Sequence, residues 1–153
     1  MKIKFRQIIK SIEAKLDRCK KSSRFPMSTP PKNLPERGVY LFYERNKVLY
    51  VGRSNNIRRR FRNHLGKEHN QASFAFLLAR HKTGLLKAAY TQKGSRGSLL
   101  KNRAFKKVFE GCRQRIRNMQ VRVIEENDPT AQALLEIYAA FVTRAKHNSF
   151  DNH

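Results

Sequence analysis

Residues 38–52 read GVYLFYERNKVLYVG, and this stretch decides the fold that the sequence predicts. β-Branched and aromatic residues fill both halves, and a polar turn separates them, which is the pattern of a β-hairpin. A three-residue loop at positions 44–46 would place Tyr40 opposite Tyr50, with Asn46 suited to the left-handed conformation of such a loop. A two-residue turn would instead put the two tyrosines on opposite faces of the sheet.

Helical patterns flank the hairpin on both sides. Residues 1–21 carry apolar side chains at helical spacing, and the proline-rich residues 25–35 predict an extended connector. Beyond the hairpin we expect a helix from about Ile57, with Asn55-Asn56 as its cap, and further helices over 72–80 and 99–118. A third strand is expected over 121–125. The Asp128-Pro129 pair marks the start of a last helix that runs to about residue 146.

Composition limits the classes of function. The 153 residues include 34 Lys and Arg against 11 Asp and Glu, a formal charge of +23. A charge this large predicts a polyanionic partner, most often nucleic acid. No apolar run reaches the ~18 residues of a membrane span and no signal-peptide pattern opens the chain, so membrane and secreted classes are not expected. Two distant cysteines predict a reduced compartment, so we expect a cytoplasmic protein, with nucleoid association as an alternative.

The positive charge is dense immediately after the hairpin. Arg60 and His64 lie four residues apart in the helix that begins near Ile57, and therefore on one helix face. A glycine-flanked basic loop follows later, but its spacing is not that of a nucleotide-binding P-loop. We expect the remaining basic side chains of these two segments to contact nucleic-acid phosphates: Arg53, Arg58, Arg59, Arg62, Lys93 and Arg96.

The hairpin and the following helix resemble the signature of the GIY-YIG nuclease family. Gly38-Val39-Tyr40 and Tyr50-Val51-Gly52 match the two triplets of the family, with Val in place of Ile in both. Arg60 matches the arginine of the family's helix. His64 occupies a position where members have His or Tyr, and the His is similar to the restriction-enzyme branch.

The resemblance extends to the last helix and beyond it. Glu136 matches the family's metal-binding glutamate, and Asn148 falls where the family has a structural or catalytic asparagine. The resemblance implies an α+β fold: a small three-stranded antiparallel sheet flanked by helices, with an added N-terminal helix and extra helices before the third strand. It also implies a stand-alone nuclease domain at residues 36–153, preceded by the helix and connector of residues 1–35.

From the residues alone, Glu136 has a different interpretation. The apolar residues of its helix form a stripe that Glu136 points away from, which predicts a solvent-facing carboxylate: Leu134, Tyr138, Phe141 and Ala145. Its neighbours on the helix surface are small, however, so another backbone or a phosphate can approach closely. The resemblance favours a metal ligand, since Mg²⁺ often takes one protein carboxylate together with water and phosphate oxygens.

The family's chemistry implies metal-dependent hydrolysis of DNA phosphodiester bonds. Mg²⁺ or Mn²⁺ would bind Glu136, Arg60 would stabilise charge on the phosphoryl oxygens, and Tyr40 with Tyr50 would position water. Asn148 would orient a group or brace the site. The proton acceptor stays open, since the family favours tyrosine while the reference pKa of ~6.5 favours His64.

Two other classes of function remain alternatives. One is a catalytically inactive DNA-binding module on the same fold, and the other is a basic RNA- or ribosome-associated protein. We expect DNA as the partner through its phosphate backbone, with no membrane and no small-molecule cofactor. DNA specificity, biological role and oligomeric state are not determined by the sequence.

Overall fold

An antiparallel sheet with helices against it forms the framework of the chain, so the predicted α+β fold is confirmed. The structure is a computed structural model that describes residues 2–67, 72–84 and 102–148. In chain order the elements are α1 (Lys2–Lys21), β1 (Phe25–Pro26), β2 (Gly38–Glu44), β3 (Lys47–Ser54), α2 (Ile57–Leu65), α3 (Ser73–Thr83), α4 (Arg103–Arg117), β4 (Gln120–Glu125) and α5 (Pro129–Thr143).

The chain divides into two compact units. The first unit contains residues 1–58 and 119–153, and the second contains residues 59–118. The sheet belongs to the first unit and has the strand order β1-β4-β2-β3, with all pairs antiparallel. The three predicted strands correspond to β2, β3 and β4.

A short fourth strand was not predicted. Phe25 and Pro26, at the start of the expected connector, pair with Val121 and Gln120 of β4. Proline has no N–H to contribute to a ladder, so it is tolerated at an edge, and β1 is an edge strand. The residues after the first helix are therefore partly built into the sheet.

The hairpin has the two-residue turn of the second sequence alternative, but not the strand register that this alternative implies. Glu44 pairs with Lys47, so the turn has two residues, and Arg45 rather than Asn46 takes the left-handed conformation, with φ 57°. A β-bulge between Phe42 and Tyr43 then shifts the register by one residue. Because one extra residue reverses the alternation of side chains, the bulge restores a common face to Tyr40 and Tyr50.

The hydrophobic core of the first unit lies between the other face of the sheet and two helices. Val39 and Leu41 of β2 pack with Leu16 of α1 and with Leu135 and Ala139 of α5. Ile12 and Leu16 of the N-terminal helix are buried in this core. Cys19 on the same helix is buried and reduced.

The buried face of α5 is not the predicted stripe. Its buried residues are Ala131, Gln132, Leu135, Ala139 and Ala140, whereas Phe141 is 82% exposed. Leu134, Tyr138 and Ala145 pack only at the margin of the core. The small alanines let the helix approach the sheet closely. This close packing decides which face is buried, whereas the prediction relied on the larger apolar side chains.

The start of α5 follows its local sequence signal. Asp128 caps the helix, because its side chain accepts a hydrogen bond from the Ala131 N–H at 2.8 Å, and Pro129 occupies the first turn. The helix ends at Thr143, three residues before the predicted end, and Arg144 follows with φ 53°.

The second unit is helical in its described residues. The α2 helix begins at Ile57, as predicted, and its residues from Arg59 onward belong to this unit. Phe76 of α3 packs against Phe105 and Phe109 of α4, with ring centroids 5.3 and 6.1 Å apart. The Arg113 guanidinium donates to the Leu65 carbonyl at 2.7 Å. None of the described helices, in either unit, is long and apolar enough to cross a bilayer.

Candidate active site

The two glycines of the hairpin signature are required by close contacts. A Cβ atom on Gly38 would lie 2.0 Å from the carbonyl oxygen of Ile124 on the neighbouring strand. A Cβ on Gly52 would lie 2.3 Å from the hydroxyl oxygen of Tyr40. Both distances are far below van der Waals contact, so no larger residue fits either position without a shift of its neighbours. The glycines are therefore explained by packing of the strands and of Tyr40.

Tyr40 and Tyr50 come together on one face of the hairpin. Tyr40 pairs with Gly52, and Phe42 pairs with Tyr50, so the three rings form one aromatic group. The ring centroids of the two tyrosines are 6.5 Å apart. The Tyr40 side chain is buried across Gly52, while Tyr50 is partly exposed. The predicted proximity of the two tyrosines is thus present, although by a register that neither sequence alternative contained.

Glu136 forms an ion pair with Arg53. The Arg53 Nε donates to Glu136 Oε2 at 2.7 Å, and the Glu136 side chain is 22% exposed. The carboxylate is therefore half-buried and not solvent-facing. Burial raises the pKa of Glu136 above its ordinary value, and the Arg53 guanidinium opposes this by lowering it. Arg53, predicted as a phosphate contact, is here bound to a carboxylate.

The tyrosine group and the Glu136 ion pair lie on different faces of β3. Side chains alternate along a strand, so Arg53 points to the same side as Val51, which belongs to the core against α5. Tyr50 and Gly52 point to the other side. The structure therefore forms two separate groups near the end of this strand. One group contains Tyr40 and Tyr50, and the other contains Arg53 and Glu136.

The donor set at Glu136 suits a hard divalent ion. Among the described residues no three His, Cys, Asp or Glu side chains come close enough to hold a metal together. A zinc site needs such a group, but Mg²⁺ keeps several waters and commonly uses one or two protein carboxylates. Glu136 fits Mg²⁺ or Mn²⁺ on this chemistry, provided that Arg53 shares or leaves the carboxylate.

Asn148 is bound to the backbone of β3. Its side-chain Nδ2 donates to the Val51 carbonyl at 2.7 Å, and its Oδ1 accepts from the Val51 N–H at 2.8 Å. The backbone N–H of His147 donates to the Leu49 carbonyl at 2.9 Å. Residues 147 and 148 thus cover the outer edge of β3, an edge strand of the sheet. Of the two roles expected for Asn148, bracing is the one that these hydrogen bonds support.

Gln132 is a further site residue that the sequence analysis missed. Its buried Nε2 donates to the Glu126 carbonyl at 3.1 Å and is 3.4 Å from both the Ser54 carbonyl and Asn55 Oδ1. It thereby ties the ends of β3 and β4 to α5, one helical turn before Glu136. The available signal was a polar residue at the i−4 position from Glu136, flanked by alanines.

Arg60 and His64 belong to the second unit. Arg60 Nη2 donates to the Ser73 hydroxyl at 2.9 Å, and the fully buried His64 ring meets the Phe74 ring edge-on, with centroids 6.4 Å apart. Burial, followed by the positive charge of Arg60, lowers the pKa of His64 to about 3. The imidazole is therefore neutral at physiological pH, and the assumption of an ordinary pKa does not hold.

The other predicted phosphate contacts have different surroundings. Arg58 donates to the backbone carbonyls of Lys32 and Pro31 at 2.8 and 3.3 Å, which attaches the proline-rich segment. Arg59 and Arg62 are exposed on α2. Lys93 and Arg96 lie outside the described residues, so their contacts stay predictions.

The comparison with protein families gives a match over part of the chain. Residues 36–109 match the model of the UvrC-like GIY-YIG domain. The matched segment contains both signature triplets, Arg60 and His64, and it ends before Glu136 and Asn148. No curated protein and no solved structure matches the chain.

Proposed function

Because the chain carries a domain of the GIY-YIG nuclease superfamily, we propose that it is a metal-dependent endonuclease that hydrolyses DNA phosphodiester bonds. The observation that carries this proposal is the packing of the signature hairpin, in which Gly52 leaves room for the Tyr40 ring beside Tyr50. The charge of +23 supports a nucleic-acid substrate.

In the proposed reaction each of the site's side chains has a separate role. Glu136 would hold Mg²⁺ or Mn²⁺, which when bound supplies Lewis-acid polarisation of the phosphate and stabilisation of the leaving oxygen. Tyr40 and Tyr50 orient the attacking water. Arg60 stabilises the negative charge that develops on the phosphoryl oxygens, because its planar fork of donors matches phosphate.

We assign proton acceptance to the phenolate form of Tyr40, which takes the proton of the attacking water and becomes the phenol, rather than to His64. A histidine with a pKa of about 3 is a weak base near neutral pH, so His64 loses the advantage that its ordinary pKa would give it. The neutral imidazole still accepts or donates a hydrogen bond through one ring nitrogen each. His64 therefore acts as a hydrogen-bonding group that stays uncharged in the proposed mechanism.

The Arg53–Glu136 pair adds a feature to the proposal. A DNA phosphate is a better ion-pair partner for Arg53 than a carboxylate that also binds a divalent cation. With substrate and metal bound, Arg53 would pair with a phosphate and Glu136 would hold the cation. Each charge keeps an opposite charge beside it throughout, which avoids an uncompensated charge at a half-buried position.

Incubation with supercoiled plasmid and with branched DNA, in Mg²⁺ or in EDTA, tests the function. The wild type should cut at least one substrate only with the metal, and Glu136→Gln should reduce cleavage by about 100-fold or more while DNA binding in EDTA persists. Glu125→Gln is the matched control, since it removes an exposed carboxylate at the end of β4 and should cut normally.

The same experiment separates the alternatives. DNA binding by the wild type with no metal-dependent cleavage of any substrate would identify an inactive binding module and overturn the nuclease proposal. Tighter binding of structured RNA than of duplex DNA at equal salt would instead favour the RNA- or ribosome-associated class.

A further inference from the structure

A basic pocket lies at the turn end of the hairpin in the first unit. Its volume is about 680 Å³, and six of its lining residues are cationic, with no Asp or Glu among the described residues that line it. We call it the turn pocket. Its cations come from α1, β3, β4, the segment before β1 and the residues after α5: Lys20, Arg24, Lys47, Arg122, Arg144 and Lys146.

The positive charge of the turn pocket is not explained by the basic composition of the chain alone. A second cavity of about 590 Å³ in the same unit is lined by Lys15 and Arg18 but also by Glu125 and Glu126. There Lys15 Nζ lies 2.6 Å from Glu126 Oε2, so cation and carboxylate neutralise each other. The chain has few acids, and where a cavity holds two of them its charge is balanced. The turn pocket lacks that balance.

Tyr43 holds two of the guanidinium groups in place. The Arg24 Cζ lies 4.1 Å and the Arg122 Cζ 5.0 Å from the centroid of the Tyr43 ring, which is within cation–π range. Arg122 also donates through Nη1 to the Tyr43 hydroxyl and through Nε to the Ser22 carbonyl, both at 3.0 Å. These bonds use two of the five N–H donors of Arg122 and leave others for an anion.

We propose that the turn pocket is a second nucleic-acid contact that binds a backbone phosphate. Preorganised guanidinium groups with three exposed lysines around them are the donors that suit phosphate, and the volume accommodates the group with its sugar. Tyr43 points to the core face of β2, away from Tyr40, and the pocket lies at the opposite end of β3 from Gly52. DNA would thus contact the first unit in two places, only one of which contains candidate catalytic residues.

Charge neutralisation tests the proposal in full-length protein without any metal. The triple variant Lys20→Gln/Lys47→Gln/Lys146→Gln removes exposed pocket lysines, and Lys4→Gln/Lys10→Gln/Lys32→Gln removes the same charge from exposed positions elsewhere. Each contacted phosphate contributes about 0.9 to the slope of log K against log salt for duplex DNA. The pocket variant should therefore lower the slope by about 2–3, and the control variant by less than about 1.

Both triple variants should unfold at the wild-type midpoint, because all six lysines are exposed. Equal slopes for the two variants would overturn the proposal, since the pocket would then be no more than part of a general positive surface. Binding is measured in EDTA, so this result does not depend on whether the protein cleaves DNA.

Lysine acetylation footprinting distinguishes the source of the phosphate. Duplex DNA should protect Lys20, Lys47 and Lys146 in the wild type, while inorganic tripolyphosphate at the same phosphate concentration should protect them weakly. Protection by tripolyphosphate alone would overturn the nucleic-acid assignment and identify a site for small polyphosphates. Absence of protection by either would exclude a phosphate site.

Discussion

The contact between Gly52 and Tyr40 gives a prediction at the scale of single residues. A methyl group at position 52 would lie 2.3 Å from the Tyr40 hydroxyl oxygen and 2.4 Å from its Cζ, so the ring has to move. We expect Gly52→Ala to lower the free energy of unfolding by about 1–3 kcal/mol, as overpacking does. The chain has no Trp, so urea unfolding is best followed by circular dichroism.

Gly111→Ala is the control for this substitution. Gly111 lies within α4, and a Cβ there meets no atom of the described residues within 4 Å. The same change of residue should therefore stabilise the protein by about 0.5–1 kcal/mol, because alanine is favoured in helix interiors. Similar effects of the two substitutions would contradict the steric explanation of the signature glycine.

Because of the lowered pKa of His64, we expect the free energy of unfolding to fall in mild acid. Its pKa is about 3 in the folded protein and ~6.5 in the unfolded chain. Between these two pH values the unfolded chain binds a proton that the folded protein does not bind. The contribution is fully present above about pH 6.5 and is lost as the pH falls toward 3. At pH 5 the loss amounts to about 2 kcal/mol. Urea unfolding at pH 7 and pH 5 measures it.

His64→Gln should remove this part of the pH dependence, since glutamine does not titrate. His81→Gln changes an exposed histidine on α3 and serves as the control, with the wild-type difference between pH 7 and pH 5 retained. A His64→Gln protein that loses as much stability as the wild type over this interval would show that the imidazole is not excluded from protonation.

At the scale of elements, the features that the sequence predicts well are local ones. Asp128 with Pro129 marks the start of α5 through a hydrogen bond that spans only three residues, and α2 begins at the expected residue, Ile57. The bulge at Phe42 and Tyr43 could not be predicted, because it depends on how β2 and β3 pack as a sheet rather than on the turn residues. The buried face of α5 was mispredicted for a similar reason: alanines fit the sheet better than Phe141 does.

Asn148 gives a prediction for β3. Asn148→Asp keeps the oxygen that accepts from the Val51 N–H but replaces the donor to the Val51 carbonyl by a second oxygen. We expect a loss of about 1–3 kcal/mol relative to the wild type at pH 7, because a carboxylate then faces a carbonyl.

At pH 4 the loss from Asn148→Asp should be smaller, since a protonated carboxyl regains an O–H donor. Unfolding of variant and wild type compared at each pH isolates this effect from other titrating groups. A deficit that stays constant between pH 7 and pH 4 would indicate that the Nδ2 bond contributes little.

At the scale of the whole molecule, the candidate site is the part that sequence reasoning reached least completely. The triplets, Arg60 and His64 lie close together in the chain, so their pattern is visible in the sequence alone. The partner of Glu136 is not, because Arg53 precedes it by 83 residues. The depressed pKa of His64 is equally hidden, since it arises from burial that no spacing of residues encodes.

The role of α1 gives a prediction about the extent of the folded chain. Ile12 and Leu16 are 2% and 1% exposed, within the core that contains β2 and α5. Burial of two such side chains contributes about 3–6 kcal/mol, a large part of the stability of a typical domain. A chain that begins at residue 24 should therefore show no cooperative unfolding of the first unit.

Phe5→Ala provides the comparison on the same helix. Phe5 is 52% exposed, so its loss should change stability by less than about 0.5 kcal/mol. A shortened chain with the unfolding midpoint of the wild type would instead support the predicted division at residues 35 and 36, with a nuclease domain that folds without the N-terminal helix.

The interruption of the first unit by the second has a consequence for biosynthesis. The backbone of Val51, at the outer edge of β3, is hydrogen-bonded by the side chain of Asn148, which is 97 residues later in the chain. At translation rates of about 5–20 residues per second, the hairpin emerges from the ribosome about 5–20 s before the segment that protects it. During that time the outer edge of β3 is a free template for other strands. Nascent chains of this protein should therefore need chaperone protection until residues 147 and 148 have been made.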